Sequence, residues 1–160
     1  MLSTDRSSEA ARIADQLRRA FDGGAWHGDS LLEILAGVTA AQAAARPIDG
    51  THTIWELVLH IAAWDAAVLR RFEGVAVELS DAENFPPVTD VSDAAWRAAL
   101  ARVKGGHEKL IQAVAATPDS RLLEMVSGKE GAHYTFYYML HGLAQHELYH
   151  AGQIALLKKM

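Results

Sequence analysis

The spacing of apolar residues is the feature that most constrains the fold of this chain. Apolar residues recur every three or four positions along most of the sequence, and an alternating pattern occurs only weakly, over residues 75–79. A spacing of three to four places apolar side chains on one face of a helix, whereas alternation is typical of a half-buried strand. The pattern therefore predicts an all-α protein.

Capping and helix-breaking residues divide the chain into four long predicted helices. We expect these helices over residues 7–21, 53–74, 92–116 and 135–158, with two short helical pieces after Ser30 and Thr39. The second long helix begins at a capping box, Thr53-Ile-Trp-Glu56, whose two side chains satisfy free backbone N–H groups. Gly105-Gly106 lies inside the third helix, where we expect a kink or a mobile turn.

Long amphipathic helices joined by polar segments favour a four-helix bundle. The connections near residues 22–52 and 75–91 are longer than an up-and-down bundle needs, so we expect these crossover connections to pass over one end. A chain of 160 residues is long enough to bury a core without a covalent cross-link. We therefore expect one helical domain that covers residues 1–160.

The composition excludes several classes of function. The chain has no cysteine, which excludes a disulfide scaffold, a thiolate zinc site and a cysteine nucleophile. A formal net charge of −5 argues against a broad basic surface for nucleic acid. The first residues contain no apolar signal core, and no apolar run reaches the ~18 residues of a membrane span. We expect a cytoplasmic protein that binds neither nucleic acid nor membrane.

Two of the eight histidines form a pair at helical spacing. His146 and His150 lie four residues apart in the last predicted helix, so they share one face, with Cβ atoms ~5–6 Å apart. The same face carries Met139, Leu143 and Leu157, which indicates that it points into the bundle. Two imidazoles at this spacing can bind one metal ion at ~2.0–2.1 Å.

A catalytic metal ion usually has three protein ligands and an open position. No His, Asp or Glu follows His150, so the third ligand must come from another helix. His60, at the edge of the buried stripe of the second long helix, is the best candidate. Gln153 lies on the same side as the pair, where it can hydrogen-bond a ligand or a bound water. The sequence therefore predicts a divalent metal site formed by His60, His146 and His150.

Two other interpretations of the histidine pair stay open. His146-Glu-Leu-Tyr-His150 matches the H-E-x-x-H pattern of zinc peptidases, which makes Glu147 a candidate general base. Those peptidases place a third ligand downstream, and this chain has none there. The second interpretation is a non-catalytic protein, either a metal-binding module or a dimerisation bundle. An open coordination position beside a pocket would favour the enzyme.

Other residues carry weaker expectations. His27 and His107 are interpreted as surface residues. His52 and His133 are interpreted as loop residues, although either could flank the site. Three tyrosines of the last helix are expected to be packing residues: Tyr137, Tyr138 and Tyr149. Tyr149 could also reach the edge of the site. Arg70-Arg71 could receive an anionic substrate but is interpreted as a solvated helix end.

Two segments resemble the DinB-like family of metal-binding four-helix bundles, the damage-inducible family. One is residues 55–64, Trp-Glu-Leu-Val-Leu-His-Ile-Ala-Ala-Trp, and the other is residues 141–154, which contain His146-Glu-Leu-Tyr-His150-Ala-Gly-Gln153. The resemblance implies three metal-binding histidines on the second and last long helices. In this chain these positions are His60, His146 and His150.

The resemblance also implies a class of chemistry and an assembly. Members of the DinB-like family hold a divalent metal, commonly zinc or nickel, and many are homodimers. Some transfer a low-molecular-weight thiol or isomerise a thiol adduct, and others are described as metal-dependent hydrolases. The resemblance thus implies a metal-dependent thiol S-transferase or hydrolase with a small-molecule substrate. A thiol that coordinates a metal is deprotonated, which would supply a nucleophile to a chain without cysteine.

Overall fold

The computed structural model describes residues 8–127 and 134–160. All regular structure in these residues is helical, apart from one isolated bridge between Met125 and Thr135. The all-α prediction is therefore confirmed. The helices of the described residues are α1 (Glu9–Asp22), α2 (Leu31–Leu35), α3 (Ala40–Ala44), α4 (Ile54–Phe72), α5 (Asp81–Asn84), α6 (Asp93–Ala115), α7 (Asp119–Leu122) and α8 (Phe136–Leu157).

Four of these helices are long, and each begins at a serine or threonine cap. The cap side chains accept a hydrogen bond from a backbone N–H of the first turn; they are Ser8, Thr53, Ser92 and Thr135. The capping box of α4 is complete, because the Glu56 carboxylate also accepts from the Thr53 N–H at 2.8 Å. A cap of this kind stabilises a helix by about 1 kcal/mol. The caps explain why the long helices begin close to their predicted starts. One predicted start, Ser7, lies outside the described residues.

The four long helices pack in a closed order: α1 against α6, α6 against α4, α4 against α8, and α8 against α1. The short helices occupy the long connections. Of these, α2 packs against α1 and α8, α3 packs against α4 and α6, and α5 packs against α4. The connection after α1 therefore adds packed structure at the end of the molecule where α4 begins and α8 ends.

Two apolar clusters fill the interior. The first surrounds Trp55 and Trp96, and it joins α2 and α3 to the first halves of α4 and α6 and to the end of α8. The second surrounds Leu17 and Leu140, and it joins α1 to the later halves of α4 and α6 and to the start of α8. Along their helices, most of the buried polar side chains of α4, α6 and α8 lie between the two clusters, and His60 lies near the end of the first. The candidate site is built at this level.

Two local expectations were wrong. α6 continues as a helix through Gly105 and Gly106, so no turn interrupts it there. The three tyrosines of α8 do not pack in the core and are 42%, 69% and 65% exposed: Tyr137, Tyr138 and Tyr149. Tyr149 does reach the edge of the site, because its ring centroid lies 5.1 Å from that of His150. In the part of the chain that the structure describes, no helix is long and apolar enough to cross a membrane.

Candidate metal centre

Three histidines meet between α4 and α8, and we call them the histidine triad: His60, His146 and His150. The Nε2 atoms of His60 and His146 lie 2.9 Å apart, and those of His146 and His150 lie 3.1 Å apart. Successive turns of α8 carry two of the rings, and the packing of α4 against α8 brings the third to them. The predicted ligand residues are thus brought together, with one ligand atom from each within 4.8 Å of the others.

Hydrogen bonds orient two rings of the triad. His60 donates from Nδ1 to the backbone carbonyl oxygen of Asn84 at 2.7 Å, and His150 donates from Nδ1 to the Gln153 side-chain oxygen at 2.6 Å. A neutral ring that donates from Nδ1 keeps a lone pair on Nε2, which is the atom that can bind a metal. His146 has no hydrogen-bond partner at Nδ1 in the described residues, and its Nε2 lies close to the Nε2 atoms of both other rings. Three imidazole nitrogens that converge in this way can bind one metal ion in place of the hydrogen bonds among them. The donor set therefore fits a divalent metal ion.

The triad is neutral at pH 7. Burial, together with the neighbouring rings of His150 and His60, lowers the pKa of His146 to about 4. Burial is also the main cause that lowers the pKa of His60 and of His150. Neutral imidazole is the form that binds metal ions, so the site needs no deprotonation before it takes one.

Aromatic rings and α5 support the outer side of His60. The ring of Phe85 stacks on His60, with centroids 4.1 Å apart, and His52 stacks on the opposite face of Phe85 at 3.8 Å. Trp64 donates from its indole nitrogen to the Asn84 side-chain oxygen at 2.8 Å. His52 therefore lies beside the site, separated from the triad by the phenylalanine ring.

A cavity of about 200 Å³ lies next to His146. His146 is the partly exposed member of the triad, whereas His60 and His150 are buried. The cavity is lined by residues of α4 and α8 and by one residue that precedes α8: Trp64, Val68, Arg71, Tyr134, Tyr138, Met139, Gly142, Leu143 and His146. The triad is thus adjacent to a space that can hold a small molecule.

A second polar group lies deeper, and we call it the ionic cluster: Asp65, His107 and Glu147. Nδ1 of His107 lies 3.0 Å from an Asp65 oxygen and 2.9 Å from a Glu147 oxygen, and Nε2 lies 3.3 Å from the backbone oxygen of Leu17. Burial opposes the charge on His107, but the two carboxyl groups outweigh it and raise its pKa to about 10. His107 is therefore a buried imidazolium.

The ionic cluster was missed from the sequence, and the expectation that His107 lies at the surface was wrong. His107 follows Val103 by four residues and precedes Leu110 by three, so it lies on the buried stripe of α6. That register was the available signal. The carboxyl partners come from two other helices, α4 and α8, so no local pattern marks them.

The structure places Glu147 in the ionic cluster. Its side chain is fully buried, its nearest charged neighbour is His107, and burial raises its pKa to about 7. Its carboxyl oxygens make no hydrogen bond to the described residues, the triad included. Of the other sequence candidates, Gln153 orients His150, His27 is exposed, and His133 lies outside the described residues.

Comparison with protein families identifies a superfamily that this chain matches. The family model described as the DinB superfamily matches residues 24–154, which include both segments of the resemblance and all members of the triad. Comparisons with curated proteins and with solved structures give no match.

Proposed function

The chain belongs to the DinB superfamily, and from this premise we propose that it is a metal-dependent enzyme that acts on a small molecule. His60, His146 and His150 would hold one divalent ion, zinc or nickel. Such an ion activates a bound water or thiol, or polarises a substrate carbonyl. The observation that carries the proposal is the convergence of three neutral Nε2 atoms beside a cavity.

Of the two reactions that the family suggests, we favour thiol transfer. Three neutral imidazoles add no negative charge to the site, which favours an anionic further ligand such as a thiolate. Hydrolysis could use a metal-bound water alone, whereas the peptidase alternative relies on Glu147 as a general base. That role stays a prediction, and the contact of Glu147 with His107 favours a structural one.

The residues around the triad contribute orientation and shielding. The hydrogen bonds from His60 to Asn84 and from His150 to Gln153 hold both rings with Nε2 toward the common centre. The stacked ring of Phe85 keeps solvent from the outer face of His60. His146, which borders the cavity, is the ligand nearest to an entering substrate.

Metal content is the first test. The protein, purified without a metal-affinity tag, should contain close to one divalent ion per chain, and His60→Ala, His146→Ala and His150→Ala should each lose it. His27→Ala, at an exposed position, is the matched control and should retain the metal. A metal-free wild-type protein that also fails to bind added zinc, nickel or cobalt would refute the proposal.

A cobalt-substituted protein tests the thiol. A low-molecular-weight thiol such as 2-mercaptoethanol should shift the visible spectrum of the cobalt form through direct sulfur coordination. Cobalt that fills the site without any response to thiols would exclude thiol transfer and leave hydrolysis or a non-catalytic metal. Cleavage of casein that is lost in Glu147→Gln would instead support the peptidase.

We also propose a homodimer that forms through the outward face of α8. Tyr149 and Leu156 lie seven residues apart on this face and are 65% and 66% exposed. Light scattering should give a dimeric mass at micromolar concentration, and Leu156→Lys should reduce it. A monomeric mass across that range would contradict the proposal. A cytoplasmic location stays a prediction.

A further inference from the structure

The cavity beside His146 combines an apolar wall with one cationic side chain. Trp64, Val68, Met139 and Leu143 supply apolar surface, and Arg71 is the charged residue of the lining. None of the carboxylates in residues 8–127 and 134–160 forms an ion pair with Arg71. A positive charge at the edge of an apolar cavity favours a ligand with a negative charge and an apolar body.

Contacts with its neighbours hold the Arg71 side chain in place. Its Nε and one terminal nitrogen donate to the carbonyl oxygen of Val77 at 3.2 and 2.7 Å, and the other terminal nitrogen donates to the Tyr134 hydroxyl at 3.1 Å. An arginine has five N–H donors, so within the described residues one donor on each terminal nitrogen has no partner. A preorganised guanidinium with free donors suits a carboxylate, whose two oxygens accept hydrogen bonds together.

The indole of Trp64 connects this cation to the triad. The Arg71 guanidinium lies 5.5 Å from the centre of the Trp64 ring, and the His146 ring lies 5.9 Å from it. A ligand ring placed against Trp64 is therefore within reach of Arg71 on one side and of the metal-binding atoms on the other. A cavity of ~150 Å³ holds benzene, so about 200 Å³ accommodates one ring with a short substituent.

We propose that this cavity binds a small aromatic carboxylate, with the carboxylate against Arg71 and the ring against Trp64. The inference deepens the proposed function, on which it rests, by naming the class of substrate that the triad would act on. Binding of the ring and the charge involves residues outside the triad. It can therefore be measured on protein from which metal has been removed.

Benzoate and benzamide are the matched probes, because they share a ring and differ in charge. Both probes are titrated into metal-free protein, and binding is measured by Trp fluorescence and calorimetry. The affinity for benzoate should be at least about tenfold higher than that for benzamide, because a hydrogen bond to a charged group supplies a difference of that size. Acetate, which has the charge without the ring, should bind more weakly than benzoate. Equal affinities for benzoate and benzamide would overturn the proposal.

Two pairs of variants locate the site. Arg71→Gln should weaken benzoate about tenfold without changing benzamide, whereas Arg70→Gln, on the exposed side of the same helix, should change neither. Gly142→Leu should block both probes, because a Cβ at Gly142 enters open space and Gly142 lines the cavity. Gly152→Leu, at an exposed glycine of the same helix, is its control.

The outcomes separate this inference from the proposed function. If Arg71→Gln does not fold, as circular dichroism would show, the Gly142→Leu pair decides the position of the site. Metal binding by the triad without selective benzoate binding would overturn this inference alone. Selective benzoate binding by a protein that takes no metal would refute the proposed function and leave the carboxylate site standing.

Discussion

The histidine triad and the ionic cluster differ in how their charges are balanced. The two groups use adjacent residues of α8: His146 belongs to the triad and Glu147 to the cluster. About 100° of helix rotation separates the two side chains. In the cluster, a protonated histidine contacts two carboxyl groups inside the protein. In the triad, three neutral imidazoles converge, with the Nε2 atom of His146 at 2.9 and 3.1 Å from the Nε2 atoms of His60 and His150.

This difference separates a structural arrangement from a binding site. Asp65, His107 and Glu147 are fully buried, and the His107 imidazolium contacts both carboxyl groups, so the cluster contains its own cation. The triad borders a cavity, and its three imidazoles are neutral, so it contains no ion pair of its own. It is therefore a group that could hold a metal ion from solvent.

The largest expected effect comes from the adjacent residues of α8. His146→Ala removes a ligand and should weaken zinc binding more than ~100-fold. This loss is larger than the loss expected when only a hydrogen-bond partner of a ligand is removed. Glu147→Gln, one residue away, should retain zinc, because its side chain contacts His107. A competition titration with a colorimetric zinc chelator measures both variants. Equal loss in the two would break the distinction between the triad and the cluster.

The free energy of unfolding should fall more when the cluster is changed than when the triad is changed. His107→Leu leaves two buried carboxyl groups without their cation, and breaking a buried pair costs about 3–5 kcal/mol. His146→Ala should destabilise the metal-free protein less, because His146 is neutral and its loss leaves no buried charge without a partner. Urea unfolding of metal-free protein gives both free energies of unfolding. A smaller loss in His107→Leu than in His146→Ala would contradict the structural role of the cluster.

Gln153→Leu should have an intermediate effect on the triad. Loss of the acceptor for the His150 Nδ1–H should weaken zinc binding by ~10–100-fold, with little change in the free energy of unfolding. Gln145→Leu, at an exposed position on the same helix, serves as the control. Unchanged zinc affinity in Gln153→Leu would mean that this hydrogen bond does not orient the ligand.

The pH dependence of stability should distinguish the two groups most finely. The cluster raises the pKa of His107 from 6.5 to about 10, so its stabilisation is complete below pH 6.5 and is lost as pH rises toward 10. Burial lowers the pKa of His146 from 6.5 to about 4, so stability is lost as pH falls through that interval. His107→Leu should flatten the alkaline part of the urea-unfolding profile, and His146→Ala the acidic part. The reverse assignment would refute the stated protonation states.

Local sequence patterns predicted the helices and the triad well because both depend on spacing along one helix. Thr53 and Thr135 mark helix starts, and the four-residue separation of His146 and His150 places both rings on the inward face. His60 could be chosen from its position on the buried stripe of α4.

The ionic cluster and the cavity depend on how helices pack, which no single segment encodes. His107 receives its carboxyl partners from α4 and α8, and the cavity wall combines both of these helices with Tyr134. The tyrosines of α8 were wrongly predicted to pack in the core, because an apolar ring does not by itself show whether a neighbouring helix covers it. The part that Asn84 plays was also hidden, since it contributes a backbone atom to His60.

That backbone contact makes the orientation of His60 robust to point mutation and vulnerable to changes in chain length. Every residue type at position 84 carries a carbonyl oxygen, so a substitution there removes the side-chain bond to Trp64 and leaves the acceptor for His60 in place. An insertion or deletion between Ser80 and Phe85 would move the acceptor itself. This segment should therefore tolerate changes of residue type but not changes in the number of residues. A scan of single substitutions would not reveal its contribution to the site.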